Sequence, residues 1–345
     1  MKISTVSVNF LEWTPEYTVH DAEIDQEHQL EYGLVNSLHE AMLAGRGAGI
    51  LRPLLADFTQ HAVSHFANEE KLMADVHYPD MQAHVQQHDR IRRRVTEVDA
   101  RFARGETAIT VELMMFLSDW LKEHTMVADR RLGDYVQVEQ VFTTYLERLL
   151  QGDQKGCGLI VQRLLAEGVS FENLYVGLFQ RAMYHTGELW MKNKISVATE
   201  HLVTAITLSM MTLVHPLLLD SSRNGKTAMV TCVGGELHQV GGKMVSDMFE
   251  LHGWDSYFLG ANTPVEGLLE LIEEKQPEVL CLSVSLSSHI GQFKETVEKT
   301  RSRFPDLNIL AGGQAFFHNS NEGNGDPRLS YMRSLYELET WIESR

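Results

Sequence analysis

TAMVTCVGGELHQVGGKMVSDMFELHG, Thr227 to Gly253, decides the fold of the C-terminal third. It opens on an apolar, β-prone run, TAMVTCV, and breaks at a glycine-rich turn. It continues as KMVSDMFELHG, whose apolar residues recur three and four apart, as on one face of a helix. Strand, turn and helix in that order open a βαβ unit. SYFLG, EVLCLSVS and LNILAGG follow as further strands, with helical runs between them. From about Asn224 the alternation predicts an α/β doubly wound parallel sheet. Ligands of such sheets sit at the carboxyl ends of the strands, where GGELHQVGG lies. A phosphate loop reads G-x-G-x-x-G or G-x-x-x-x-G-K, and this turn reads neither. His238 stands there instead, two residues after Glu236. An acid beside an imidazole fixes its tautomer and strengthens it as a metal donor. His238 can therefore be an axial ligand with Glu236 behind it. A histidine at a helix start can equally cap or pack, and the turn alone does not decide.

The rest of the chain is helical. EHQLEYGLVNSLHEAML, ILRPLLADFTQHAVSHFANEEKLMADV, MQAHVQQHDRIRRRVTEVDARFA and ITVELMMFLSDWLKEHTMVADRRL each repeat apolar residues at helical spacing. The connectors AGRGAG, HYPD and ARGET are short, so the four pack as an up-down bundle over residues 1–137. Residues 138–223 form a second helical segment and residues 224–345 the sheet domain. FFHNSNEGNGDP reads as a loop, and ELETWIES as a closing helix. A chain of 345 residues with 43% apolar residues can bury two or three cores. The net charge of −17 argues against direct binding to nucleic acid or an anionic membrane, since phosphates are repelled. Three cysteines, far apart, make neither a disulfide framework nor a thiolate zinc site and fit a reducing cytoplasm. MKISTVSVNFLEW lacks a signal-peptide core. LVTAITLSMMTLVHPLLL is broken by polar residues and Pro, and reads as a buried helix rather than a membrane span.

Many of the sixteen histidines precede residue 130. The first predicted helix carries His28, the second His65 and Glu69, the third His84 and His88, and the fourth His124 and Asp129. Residues four apart share a helix face, and inner faces of a bundle converge on one centre. Five imidazoles and two carboxylates exceed what one tetrahedral zinc takes. Two six-coordinate metals have twelve positions. Seven side chains with both carboxylates bridging fill nine, an oxo or hydroxo bridge fills two, and one stays open. Imidazole with carboxylate suits iron. The open position suits dioxygen or a small anion. His61 is at most an outer partner; His20, His39 and His77 read as solvent-facing or packed. Phe66, Met73 and Trp120 read as core, or as walls of the open position.

These residues resemble the bacterial hemerythrin domain: Trp13, I-D-x-x-H ending at His28, H-F-x-x-E-E from His65 to Glu70, Tyr78-Pro79, H-x-x-x-H, and W-x-x-x-H-x-x-x-x-D from Trp120. The resemblance implies that His84, His88 and His124 hold one iron, that His28 and His65 hold the other with the open site, and that Glu69 and Asp129 bridge. The C-terminal segment resembles the Rossmann-like cobalamin-binding domain and its motif D-x-H-x-x-G. Here E-L-H-Q-V-G places His238 and Gly241. Ser283 stands at the serine position, and Gly312-Gly313 matches the paired glycine that admits the nucleotide tail. The resemblance implies His238 as the lower ligand of cobalt, with Ser287 also among the cofactor-binding residues. Glu236 departs from Asp, and Ser285 stands where many members have Leu. GELWMKNKISVATEHL resembles the helical cap of MerR-type cobalamin photoreceptors, with Trp190, Glu200 and His201 over the upper corrin face. Met191 stands where those often have a histidine that captures cobalt after light; His185 or His201 is a possible substitute. G-E-x-H also resembles light-responsive antirepressors, some of whose relatives bind haem.

The reading that follows is a cytoplasmic sensor rather than an enzyme. The di-iron bundle reports dioxygen or redox state, and the cobalamin module, with adenosylcobalamin as the expected form, reports light or cobalamin level. No basic recognition helix is evident, so output passes to a transcriptional regulator or signalling protein, or through a homo-oligomer. The alternatives are a corrinoid methyl carrier or cobalamin-enzyme component, and an oxygen store.

Overall fold

The computed structural model describes residues 10–14, 17–46, 48–104, 111–219, 221–316 and 326–345. The reading of residues 1–9, and most of the FFHNSNEGNGDP and ARGET connectors, lie outside the described residues. The chain divides into two compact units. One comprises Met1–Val141 with Gly168–Asn173, the other Phe142–Glu167 with Leu174–Arg345.

The first unit is the expected bundle. Helix α1 (Ala22–Leu43) starts at Asp21, whose carboxylate accepts from the backbone N–H groups of Glu23 and Ile24, satisfying donors that a helix start leaves open. Its buried face reads Ile24, His28, Glu31, Tyr32, Val35, Leu38 and Ala41. Helix α2 (Ala48–Asp75) ends as His77 enters the left-handed region and Pro79 follows. Helix α3 is Met81–Ala103 and α4 is Val111–Glu123. Val35, Leu38, Leu55, Phe58, Phe66, Met114 and Leu117 form one apolar core, with the histidine–carboxylate cluster at its end. The chain then departs from simple α periodicity. Residues His124–Asp129 form a π-helical turn before α5 (Arg130–Leu150). His124 and Asp129 are five apart, not four. Five residues of α-helix rotate about 500°, which faces the two side chains apart; a wider π turn brings them back to one face. Such turns concentrate at functional sites.

The second unit joins a helical cap to the sheet. The cap comprises the end of α5, α6 (Gln154–Ala166), a π-helical stretch (Asn173–Gln180), α7 (Arg181–Met191) and α8 (Val197–Leu219). Among the described residues, α8 is the one helix long and apolar enough to cross a membrane, over Val197–Leu218. One face buries Val203, Ile206, Met210 and Val214, and α8 packs on α6, α7 and α9 (Val240–Leu251). Val197, Leu202 and Leu217 stay exposed. The expectation of a buried helix therefore holds for one face only, because two faces of an all-apolar helix need two partners. Tyr175 of the π-helical stretch donates to Asp247 of α9 at 2.7 Å, and Lys243 pairs with the same buried carboxylate.

Among the described residues the sheet has five parallel strands in the order β2-β1-β3-β4-β5. They are β1 (Thr227–Cys232), β2 (Asp255–Phe258), β3 (Val279–Ser283), β4 (Asn308–Gly312) and β5 (Leu329–Met332). Helices α10 (Val265–Lys275), α11 (Ile290–Arg303) and α12 (Leu335–Glu343) complete it. Sequence reading found four strands; LSYM of β5 is too short and mixed to announce itself. The order reverses between β1 and β3, the switch point at which such sheets bind ligands. Register sets Cys232, Ser283, Gly312 and Met332 in one row at the carboxyl rim. Gly313 follows at φ +111, and a Cβ there would lie 2.2 Å from the Val284 carbonyl oxygen. Gly313→Ala is expected to destabilise this unit by roughly 1–3 kcal/mol or more. A lowered melting transition for the C-terminal unit checks it; an unchanged one contradicts the close approach.

Candidate functional sites

Seven side chains meet in the bundle. Their ligand atoms form two sets, within each of which all lie within 4.8 Å of one another: Glu69, His84, His88, His124 and Asp129, and His28, His65, Glu69 and Asp129. Both carboxylates belong to both sets. Glu69 Oε2 is 3.1 Å from His88 Nε2 and 3.6 Å from His84 Nε2, and Asp129 Oδ1 is 3.1 Å from His124 Nε2. Asp129 Oδ2 is 3.1 Å from His28 Nε2. All seven are buried. Yet among the described residues neither oxygen of Glu69 or Asp129, nor His28 Nε2 or His84 Nε2, has a hydrogen-bond partner. Buried polar atoms are almost always bonded. Acceptors converging at such distances without hydrogen-bond geometry are what a pair of cations satisfies, so the donor set fits two metals sharing two carboxylates.

The outer nitrogens are held from behind. His65 Nδ1 bonds Glu27 at 2.9 Å, and Asn68 donates to the same carboxylate. His88 Nδ1 bonds Glu70 at 3.0 Å, itself held by Arg92 at 2.7 Å. His124 Nδ1 bonds Gln87 at 3.0 Å. Each partner accepts the Nδ1 proton and leaves Nε2 as the inward lone pair, the arrangement that orients metal-binding histidines. Sequence reading missed Glu27 and Gln87 in this role. Each sits one residue before a ligand of its own helix, so it faces another helix and serves that helix's ligand. Phe66 stacks on His88 with ring centroids 4.2 Å apart, and Trp120 on His124 at 4.7 Å. His61 bonds the Glu27 carbonyl oxygen and joins neither set; His39 stacks on Phe10, and His20 and His77 are exposed.

Charge follows burial. Burial pushes the His65 ring down, but Glu31, Glu69 and Glu27 outweigh it and raise it to about 10. Burial likewise opposes His84, which the Asp129 and Glu69 carboxylates beside it raise to about 9. Burial takes His124 down to about 4. Glu69 and Asp129 are held well below the usual carboxylate range: burial raises them, and the surrounding imidazoles override it.

In the second unit, cap and sheet line an open cavity of about 440 Å³. Trp190, Met191, Glu200 and His201 line it from the cap; His238, Gly241, Ser283, Gly312 and Gly313 line it from the strand ends. Glu236 lies behind His238 rather than in the lining. Ser287 stands outside the lining, on the exposed 3-10 turn Ser287–His289, because β3 has ended and the chain has turned away. His185 packs near Phe142 and does not line the cavity.

The Glu236 carboxylate is fully buried and accepts five hydrogen bonds. Oε1 takes the ring Nδ1 and the backbone N–H of His238, at 2.5 and 3.0 Å. Oε2 takes the backbone N–H groups of Ser285 and Leu286 and Nδ1 of His289, at 2.9, 3.1 and 3.0 Å. Burial raises this carboxyl, but these donors override it and hold it ionised. The bond from His238 raises the imidazole in turn, against its burial. His238 therefore gives Nδ1 to Glu236 and keeps Nε2 for a ligand. The extra methylene of Glu over Asp lets one carboxylate hold His238 and also the loop after β3. His289 is a site residue that sequence reading did not find. Its position 53 residues along the chain becomes meaningful only once β1 and β3 are neighbours. Across the cavity, Thr204 donates to Glu200 at 2.9 Å, and the Glu200 carboxylate lies 3.6 Å from His201.

Comparison with known proteins bears on both sites. The hemerythrin HHE cation binding domain matches residues 19–136, and B12 binding domains match residues 141–214 and 226–324. A bacteriohemerythrin of Stenotrophomonas maltophilia is 33% identical over 127 residues, 37% of this chain and 82% of that protein. The HTH-type transcriptional repressor CarA of Myxococcus xanthus is 25% identical over 120 residues, 35% of this chain and 41% of that protein. The solved monomethylamine corrinoid protein of Methanosarcina barkeri aligns with a TM-score of 0.53, covering 60% of this chain and 99% of its own, at 15% identity. That last likeness is one of fold.

Proposed function

We propose that this chain, which belongs to the bacteriohemerythrin family through its N-terminal bundle, is a regulatory protein that combines an iron centre with a cobalamin module. Residues 1–137 form the iron bundle, 138–223 the cap and 224–345 the cobalamin-binding sheet. His84, His88 and His124 hold one iron, His28 and His65 the other, and Glu69 and Asp129 lie between them. His238 is the lower ligand of cobalt, Glu236 fixes its tautomer, and Gly312 and Gly313 leave room for the nucleotide tail. Bound, the iron pair supplies response to dioxygen or redox state, and cobalamin, as the adenosyl form, supplies a light-sensitive bond to cobalt. Output passes to a partner protein or through self-association in the cytoplasm.

The observation that carries this reading is the cap side of the cavity. Trp190, Glu200 and His201 of the chain's own cap line the same cavity as His238, in the arrangement that the resemblance to a photoreceptor-like cap calls for. Release of the cap from the sheet is a two-state motion that a ligand change can bias. Absorption spectra with cobalamin, dark and lit, with and without oxygen, test it alongside size-exclusion runs. A change of oligomeric state or partner binding on illumination or oxygenation supports it. Methyl cycling with a second enzyme, and no such change, favours the corrinoid carrier.

Iron loading has a proton signature. His65 and His84 hold protons up to about 10 and 9 in the metal-free bundle. Metal requires them neutral. At pH 8, ferrous iron added to metal-free protein in weak buffer is expected to release protons from these rings and from His28, which burial pushes down but Asp129 raises. A pH-stat titration measures it; iron uptake without proton release contradicts the assignment.

A further inference from the structure

Helix α1 carries one more carboxyl into the apolar interior. Glu31 lies three residues after His28, on the face that buries Tyr32, Val35 and Leu38. It is 1% exposed, and among the described residues neither of its oxygens has a hydrogen-bond partner. An orphaned buried carboxyl is costly to a fold, and among the described residues its charge beside His65 offsets that cost without giving it a hydrogen bond. The charged groups around it are His65, His28 and His61, with Glu69 beyond. His61 and His65 already bond Glu27.

Two other orphaned carboxylates, Glu69 and Asp129, belong to both donor sets. Glu31 belongs to neither. It borders the poorer one: His28, His65 and the two shared carboxylates make four donors, against five on the other side. The open coordination position is therefore on the side of His28 and His65, which is the side of Glu31.

We propose that Glu31 is a ligand-binding residue of this centre, placed to hydrogen-bond a small molecule with an accepting end at the open position beside His28 and His65. The site then takes azide-like or other small hydrogen-bond acceptors with a direct polar contact, where an aliphatic side chain would offer only space. The proposal rests on the two-iron reading above. Burial raises the Glu31 carboxyl toward its neutral, donating form, but an amide in its place also donates, so the role does not turn on ionisation.

The test uses the full chain, iron-loaded, as wild type, Glu31→Leu and Glu31→Gln, with azide titrated and followed by its absorption band on ferric iron. Glu31→Leu is expected to bind azide about tenfold more weakly, the scale of one hydrogen bond, and Glu31→Gln to stay within about threefold of wild type. Equal or tighter binding by Glu31→Leu overturns the proposal, since Glu31 is then a bystander or itself fills the position. A second readout needs no iron. Above about pH 10, where His65 is neutral and gives Glu31 no counter-charge, metal-free Glu31→Leu is expected to melt higher than wild type, because an orphaned carboxyl is replaced by an apolar side chain. A lower melting temperature makes Glu31 a structural residue and also overturns the proposal. If wild type takes up no iron pair, the two-iron reading fails and this inference with it. If all three load two irons and azide ignores Glu31, only this inference fails.

Discussion

Glu69→Ala is expected to abolish binding of both irons together. Glu69 Oε2 lies 3.1 Å from His88, 3.6 Å from His84 and 3.8 Å from His65, and Oε1 lies 3.8 Å from His28. The residue thus faces imidazoles of both donor sets. Removing it subtracts a donor from each metal position and one of the two negative charges that offset two cations. Loss of an outer partner of a metal ligand typically costs 10–100-fold in affinity, so loss of a shared ligand costs about 100-fold or more. Glu27→Gln, which disturbs only the support of His65, is expected to fall within the smaller range. Iron per chain after gel filtration measures both. Two irons retained by Glu69→Ala contradict the bridging role. One iron retained points to Asp129 alone serving the five-donor side.

How much of this was legible in sequence depends on the distance over which each feature is encoded. His65 with Glu69, and His84 with His88, announce themselves by a four-residue spacing that places both on one α-helical face. His124 and Asp129 do not, because five residues suit a π turn that no periodicity in HTMVAD reveals. Glu27, Glu70 and Gln87 sit beside ligands in the chain and serve ligands on other helices, so their role depends on how the helices pack. In the sheet, the strand-turn-helix rhythm of TAMVTCVGGELHQVGG marks the ligand-binding edge, and His238 is visible there. Its support is not. Glu236 reaches His289, Ser285 and Leu286 only because β1 and β3 pair with Cys232 opposite Ser283. Ser287 shows how short that range is: close in sequence to Ser283, it lies beyond the end of β3, exposed and outside the cavity lining.

His238→Ala is expected to loosen cobalamin and shift its spectrum to the form without a protein nitrogen on cobalt. The geometry separates this from a general packing defect. His238 is 43% exposed at its side chain and lines the cavity, so little core is lost. Glu236 is the opposite case: fully buried and ionised, with five donors converging on it. In His238→Ala, three of those donors remain on Oε2 and the backbone N–H of residue 238 on Oε1, so the carboxylate stays satisfied and the loop keeps its shape. The variant is therefore expected to melt within a few degrees of wild type without cobalamin while binding it about 100-fold or more weakly, on the scale set by metal-ligand support. Glu236→Gln and His289→Ala grade the effect. The first replaces an acceptor oxygen with a donor nitrogen facing donors, and is expected to cost both stability and affinity. The second leaves His238 bonded, and is expected to cost affinity alone, by no more than about tenfold. Absorption spectra of bound cobalamin read the ligand directly. An unchanged spectrum in His238→Ala removes it from cobalt, whatever the affinity does. A shifted spectrum with intact folding leaves the imidazole that Glu236 holds from behind as the group that reaches the metal.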